Sequence, residues 1–181
     1  MFNNRNQVLA DESGFGKRVI VASFLHSLRF KHNISGVFLV VTSRGKLEEW
    51  KQLFEMWTCL KPLVFDDQEG KEGLEKLKEW DMYHDDVLTR GIFTQRNKIL
   101  KYDVLITVES NCSDEFLVQV PVHQVIVDQA EIKSHREATR NIACKRIILI
   151  TSKSMMQGPN ELVELLDTIV PVEILTQIPI F

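Results

Sequence analysis

Three apolar runs most constrain how this chain can fold: Val37-Phe38-Leu39-Val40-Val41, Val125-Ile126-Val127 after Gln124, and Ile147-Ile148-Leu149-Ile150 after Arg146. None alternates between apolar and polar residues. A strand with one face in water alternates, and a strand covered on both faces reads as a continuous apolar run. A fourth strand signal lies over 102–108, and a shorter one at Pro62–Phe65. Helical spacing separates them. Val19, Ala22, Phe24, Leu25 and Leu28 predict a helix over 19–30, and Leu47, Trp50, Leu53, Phe54 and Trp57 predict one over 46–57. Strands alternating with helices predict an α/β fold, a mostly parallel sheet in a three-layer sandwich. At 181 residues and 44% hydrophobic, the chain suits one domain with a substantial core.

The remaining stretches read less sharply. Residues 66–90 are mostly charged, with Leu74, Leu77, Trp80 and Tyr83 giving one apolar helical face, and 89–101 reads as a loop. Short helices are predicted near 116–118 and 135–143. A last helix is predicted after Pro159, where a first-turn proline is tolerated. The apolar tail 172–181 reads as an extended edge. No repeat, linker or domain boundary shows.

Composition narrows the function classes. A net charge of -3 argues against a general polyanion-binding surface, while leaving room for a local basic patch. Cys59, Cys112 and Cys144 are odd in number and widely spaced, which predicts free thiols in a reducing compartment, nuclear or cytosolic, rather than disulfides or a zinc site. The five histidines show no metal-ligand spacing. No apolar run reaches membrane-spanning length, and the polar start does not read as a secretory signal.

The stretch most informative for chemistry is Val8-Leu9-Ala10-Asp11-Glu12-Ser13-Gly14-Phe15-Gly16-Lys17-Arg18. An apolar strand enters a glycine turn, a lysine follows, and a helix opens. Glycines let backbone N–H groups approach phosphate oxygens, the helix dipole favours negative charge, and the lysine adds a point charge. The same spacing suits an ordinary glycine turn with an exposed lysine. A magnesium-using phosphate loop places a hydroxyl after its lysine, and here that residue is Arg18.

Several segments together resemble, in order, the first half of the Swi/Snf-type helicase-like ATPases. Val8–Lys17 is similar to the family's ILADEMGLGKT. Residues 36–41, followed by Leu47-Glu48-Glu49-Trp50 and Phe54-Glu55-Met56-Trp57, resemble its next strand and helix. Residues 101–107 resemble FDVLITTYE, and 125–131 stand where the family has LIVDEAH. Residues 146–154 stand where it has RLLLTGTP, and the segment from Gln157 to Pro171 resembles QNNLKELWSLLNFLLP. Within the family, the run 74–85 and the tract before Tyr102 look most like the chromodomain-helicase-DNA-binding remodellers. The resemblance implies that 1–181 is a single RecA-like lobe (a P-loop NTPase sandwich) of a DNA-translocating ATPase.

It also implies a nucleotide site at Gly14, Gly16, Lys17, Asp128 and Thr151, vestigial or weak because the departures fall on catalytic positions. Arg18 replaces the magnesium-ligating Thr. Gln129 replaces the Glu that deprotonates the attacking water, help typically worth ~10²–10⁴ in rate. Glu131 replaces a His and puts the usual link to the third motif in doubt, and Ser152-Lys153-Ser154 replaces Gly-Thr-Pro. The resemblance further leads us to expect that the adenine-gripping segment is missing or shortened. These 181 residues are expected to hold no second lobe, whose arginines are worth ~10³–10⁵ in turnover, so that the chain does not close an active site by itself.

The expectation is therefore a nuclear binding or scaffold module, with no catalytic residue, no metal site, and ATP with magnesium at most weakly held. Expected partners are other chromatin proteins, DNA backbone weakly if at all, and a second RecA-like lobe. No membrane is expected. Arg44, Lys46 and Lys51 lie near the family's DNA-backbone segment, but Glu48, Glu49 and Glu55 weaken that reading. Arg18 reads as a solvated helix residue in preference to a partner of phosphate or acid. Asp128 suits either a leftover metal ligand or a cap for the next turn. Asp11 and Glu12 read as structural members of the first motif, and the three tryptophans as core rather than base-stacking platforms.

Overall fold

The computed structural model describes residues 6–12, 14, 16–34, 37–66, 101–115, 117, 120–152, 163, 165 and 168. Six strands form one sheet: β1 (Gln7–Ala10), β2 (Val37–Val41), β3 (Pro62–Phe65), β4 (Val104–Thr107), β5 (Val122–Val127) and β6 (Arg146–Thr151). Their spatial order is β1-β6-β5-β2-β4-β3, and every pairing is parallel. The predicted α/β sandwich with a parallel sheet is what forms. The bounds of β2 and β3 match the sequence reading. The others differ by one or two residues, as strand ends set by pairing rather than by composition do.

The continuous apolar runs are buried because both faces of the sheet are covered. On one face Phe38, Val40, Val104, Ile106, Ile126, Ile148 and Ile150 pack beneath helices α1 (Lys17–Lys31) and α2 (Leu47–Trp57). On the other, Val37, Leu39, Val41, Leu105, Val125, Val127 and Leu149 pack with Cys112, Leu117, Val120, Ile142 and Leu165. Successive side chains of one strand thus serve opposite layers, which is why these runs are apolar, while the buried polar residues Thr107, His123, Gln124 and Thr151 sit at or near strand ends. Each such side chain contributes about 1.5–3 kcal/mol on burial.

Helix α1 begins two residues before the predicted start, so its buried stripe is Lys17, Val21, Ala22, Leu25 and Leu28, with Val21 taking the place predicted for Val19. Arg29 and Lys31 in its last turn complement the helix dipole. A 3₁₀ turn, Arg44–Lys46, leads into α2. Along α2 the core stripe Leu47, Trp50 and Phe54 holds, but Trp57 is 63% exposed and Met56 73%. The reading of Trp57 as core is corrected: it is the helix's last residue, and Leu60 beyond the helix end supplies the next buried side chain. Helix α3 (Lys133–Ala138) and a 3₁₀ turn, Thr139–Asn141, account for the helix predicted over 135–143.

Glu115 and Leu117 are helical, as are Val163, Leu165 and Thr168 in the predicted last helix. The predicted helix containing Leu74, Leu77 and Trp80, the loop before Lys101, the tail 172–181 and the third-motif residues Lys153 and Ser154 lie outside the described residues.

Candidate functional site

In a parallel sheet the loops leaving the carboxyl ends of the strands converge on one edge, and ligand sites gather there. The loop after β1, the turn after β5 and the end of β6 meet at a cleft of about 430 Å³. Its lining includes Gly14, Gly16, Lys17, Arg18, Asp128, Gln129 and Glu131. The fold therefore brings together seven of the eight residues picked from sequence. The eighth, Thr151, is buried opposite Ala10 at the end of β6, and its neighbours Ile150 and Ser152 reach the cleft instead.

The glycine turn takes backbone shapes that side chains resist. Gly14 has φ +92° and Gly16 φ +68°, and nothing lies within 4 Å of a Cβ built at either. Space is thus available, and the left-handed backbone alone demands glycine. Gly16 caps α1 with no side-chain hydrogen bond, and the first turn carries no acidic residue. It carries Lys17 and Arg18 instead, two cations at the positive end of a helix dipole, each costing roughly 0.3–1 kcal/mol unless anions offset them. Lys17 is buried, and its Nζ donates to the carbonyl oxygens of Asp11 (2.5 Å) and Glu12 (2.6 Å). Asp11 and Glu12 thus serve the loop through their backbone, while both residues are exposed.

Arg18 is where the structure departs most from the sequence reading. It is not solvated: its side chain is 26% exposed and forks between two acids. Nε and NH2 each lie 3.1 Å from Asp128 Oδ2, and NH1 donates to Glu49 Oε2 at 2.8 Å. The guanidinium carbon sits 5.7 Å from the centre of the Trp50 ring, a cation–π geometry. Hydrogen bonds from Lys46 first, and then Arg18, hold the Glu49 carboxyl below the usual carboxylate range.

Asp128 is buried and engaged at both oxygens. Its Oδ2 also accepts from Thr42 Oγ1 (3.0 Å) and Trp50 Nε1 (2.9 Å), and its Oδ1 accepts from the Gln129 backbone N–H (3.1 Å). Each carboxylate oxygen offers two lone-pair sites, so Oδ2 is crowded by Arg18, Thr42 and Trp50, while Oδ1 carries the Gln129 N–H alone. Asp128 caps the next turn, one of the two roles its position allowed. Magnesium does not fit the residues present. It requires oxygen ligands at about 2.0–2.1 Å in near-octahedral geometry, and here Asp128 Oδ2 is taken by the Arg18 guanidinium, and position 18 carries that cation instead of a hydroxyl. Among the described residues no group of three or more His, Cys, Asp or Glu side chains could hold a metal ion.

Gln129 adopts φ +54°, uncommon for a residue with a side chain. Its Oε1 accepts a hydrogen bond from Ser43 Oγ at 2.7 Å, so Ser43 serves Gln129 rather than capping the 3₁₀ turn that follows it. An amide oxygen held in this way is a poor acceptor for the proton of an attacking water. Glu131 was expected to weaken the link to the third motif, yet Ser152 Oγ donates to its Oε1 at 3.1 Å. A link exists, made of different residues. Glu131 Oε2 is buried without a hydrogen-bond partner among the described residues. Behind Asp128, buried His135 places Nδ1 2.9 Å from the Asp128 carbonyl and Nε2 3.5 Å from Glu109.

The sequence reading missed Thr42, Ser43 and Glu49 as members of this cluster. Charge compensation was the available signal, since an arginine in place of a hydroxyl at a helix start needs a nearby acid. The basic residues near the expected DNA-backbone segment are paired within the chain: Arg44 with Asp66, Lys46 with Glu49 and Lys51 with Glu48. Burial, and then Glu109, push the Cys112 thiol up to about 12, and burial raises Cys144.

Residues 2–181 match the family described as the SNF2-related domain. Among curated relatives, the chain is 26% identical over 178 residues to chromodomain-helicase-DNA-binding protein 7 of Gallus gallus, covering 94% of this chain and 6% of the relative. It is 24% identical to chromodomain-helicase-DNA-binding protein 6 of Mus musculus (94% and 6% covered). It is 26% identical to protein 8 of the same series from Xenopus tropicalis (95% and 8% covered). The chain thus spans under a tenth of these relatives. The fold is similar to the Sulfolobus solfataricus SWI2/SNF2 ATPase core solved in complex with dsDNA, with a TM-score of 0.66 at 17% identity, covering 93% of this chain and 32% of that one. The chain therefore belongs to the SNF2-related domain family, as a first RecA-like lobe of the kind carried by the chromodomain-helicase-DNA-binding remodellers.

Proposed function

We propose that this lobe has lost hydrolysis and works as a binding or scaffold module in a nuclear chromatin or transcription-regulating complex, with other chromatin proteins as its partners. The observation that carries this reading is the Arg18–Asp128 pair. The carboxylate that would position a metal is taken by the chain's own guanidinium. Gln129 supports it, since its side chain lacks a basic oxygen and is bound to Ser43. The apolar layers, by contrast, are complete, as expected where fold and surface rather than turnover are retained. The internal pairing of Arg44, Lys46 and Lys51 supports at most weak contact with DNA backbone.

The test is ATP hydrolysis by the full-length protein with magnesium and double-stranded DNA. Turnover no greater than that of its Lys17→Ala variant is expected, together with unchanged assembly into its chromatin complex. DNA-stimulated turnover that Lys17→Ala abolishes would refute the reading. The retained glycine turn and Lys17 at the cleft favour a second reading, half of an ATP-dependent remodeller that binds ATP when completed by a second lobe. DNA-stimulated turnover would select it.

A further inference from the structure

We propose that Arg18 is a resident counter-cation that stands in for the divalent metal, so that the cleft takes phosphate-bearing anions metal-free and magnesium hinders them. This deepens the reading of a lobe without hydrolysis and rests on it. Three observations point the same way. First, Arg18 neutralises Asp128 from 3.1 Å and engages Oδ2 twice, so a divalent ion at that oxygen would have to displace a part-buried, charge-assisted contact. Second, the same guanidinium is braced from two further sides, by Glu49 at 2.8 Å and by the Trp50 ring, and so belongs to the framework of the cleft. Third, the start of α1 still lacks any acid or side-chain cap, and Lys17, whose Nζ is held by backbone carbonyls rather than by an acid, lines the cleft with Arg18. That wall attracts an anion.

A pyrophosphate or nucleotide diphosphate entering this cleft would draw Lys17 Nζ from the Asp11 and Glu12 carbonyls and meet Arg18 beside it. The same anion complexed with magnesium presents less negative charge and brings a second cation against the guanidinium. Two carboxylates line the cleft: Asp128, which Arg18 neutralises, and Glu131, whose unpartnered Oε2 opposes an anion.

The probes are pyrophosphate and ADP, read by calorimetry and thermal melting of the wild-type protein in EDTA and in excess magnesium. Both probes are expected to bind and raise the melting temperature in EDTA, and to bind more weakly in magnesium. Arg18→Thr is expected to reverse that order, losing roughly tenfold or more in EDTA and gaining with magnesium. Glu131→Gln is expected to tighten binding in EDTA. Wild-type binding that requires magnesium overturns the proposal, and so does no binding under either condition. The wild-type comparison decides this even where Arg18→Thr fails to fold. Magnesium-dependent binding without turnover would sink this inference and leave the loss of hydrolysis standing, whereas turnover would remove both.

Discussion

The apolar layers and the cleft are built on the same six strands and are held together by opposite means. In the layers, Phe54, Phe38, Phe65 and Leu25 are fully buried and interchangeable in principle with other shapes of similar volume. In the cleft, side chains depend on named partners: Arg18 on Asp128 and Glu49, Gln129 on Ser43, and Glu131 Oε1 on Ser152. Packing tolerates drift in identity, so at about a quarter identity to its relatives the sheet is intact. A catalytic cleft tolerates little, and here its donors and acceptors have been re-paired with one another. Trp50 belongs to both regions, with its ring in the core and its indole N–H on Asp128.

Four experiments strain this comparison, from the largest effect to the smallest. Phe54→Ala removes a fully buried ring between α2 and the sheet and is expected to cost about 3–5 kcal/mol in denaturant unfolding. A cost under 1 kcal/mol would mean that the layer is not close-packed. Asp128→Ala strands the donors of Arg18, Thr42 and Trp50, and should cost about 3 kcal/mol. A neutral outcome would show that the knot at the cleft contributes nothing to the fold.

His123 offers a subtler probe. Burial, and then Arg146 and Lys145, lower its pKa, so the folded state binds its proton less readily than the unfolded chain. Stability is then highest above the ordinary value of about 6.5 and falls as pH drops through the lowered folded value, at no more than about 1.4 kcal/mol per pH unit. Urea titrations of the wild type and of His123→Gln should differ in that slope. Equal slopes would discard the assignment. Trp57→Ala is expected to stay within about 0.5 kcal/mol, because the ring lies in solvent at the end of α2. A larger loss would put the ring back in the core.

Much of the fold was legible in advance. Continuous apolar runs marked β2, β5 and β6, because a strand covered on both faces favours apolar residues throughout, whereas buried His123 and Gln124 hid the start of β5. The start of α1 and the exposed end of α2 were read less well. Periodicity follows an apolar stripe, whereas Lys17 is buried for the carbonyls it bonds, and Trp57 lies beyond the last turn that touches the sheet. At the cleft, motif order was enough to bring Lys17, Asp128, Gln129 and Glu131 together. The pairings were not legible. Arg18 reads as a surface residue until α2 places Glu49 beside it, 31 positions away in the chain, and β5 places Asp128 there, 110 positions away.

Sequence by itself determined the layers, the parallel sheet and the left-handed glycine turn, since each is a local demand of backbone sterics or a burial pattern written along one segment. Only the tertiary structure decided that Arg18 pairs with Asp128 and Glu49, that Gln129 is held by Ser43 and that Glu131 keeps a link to Ser152. Those are bonds between loops leaving different strands, and short-range charge and hydrogen-bond geometry exist only after the sheet has brought its carboxyl ends together.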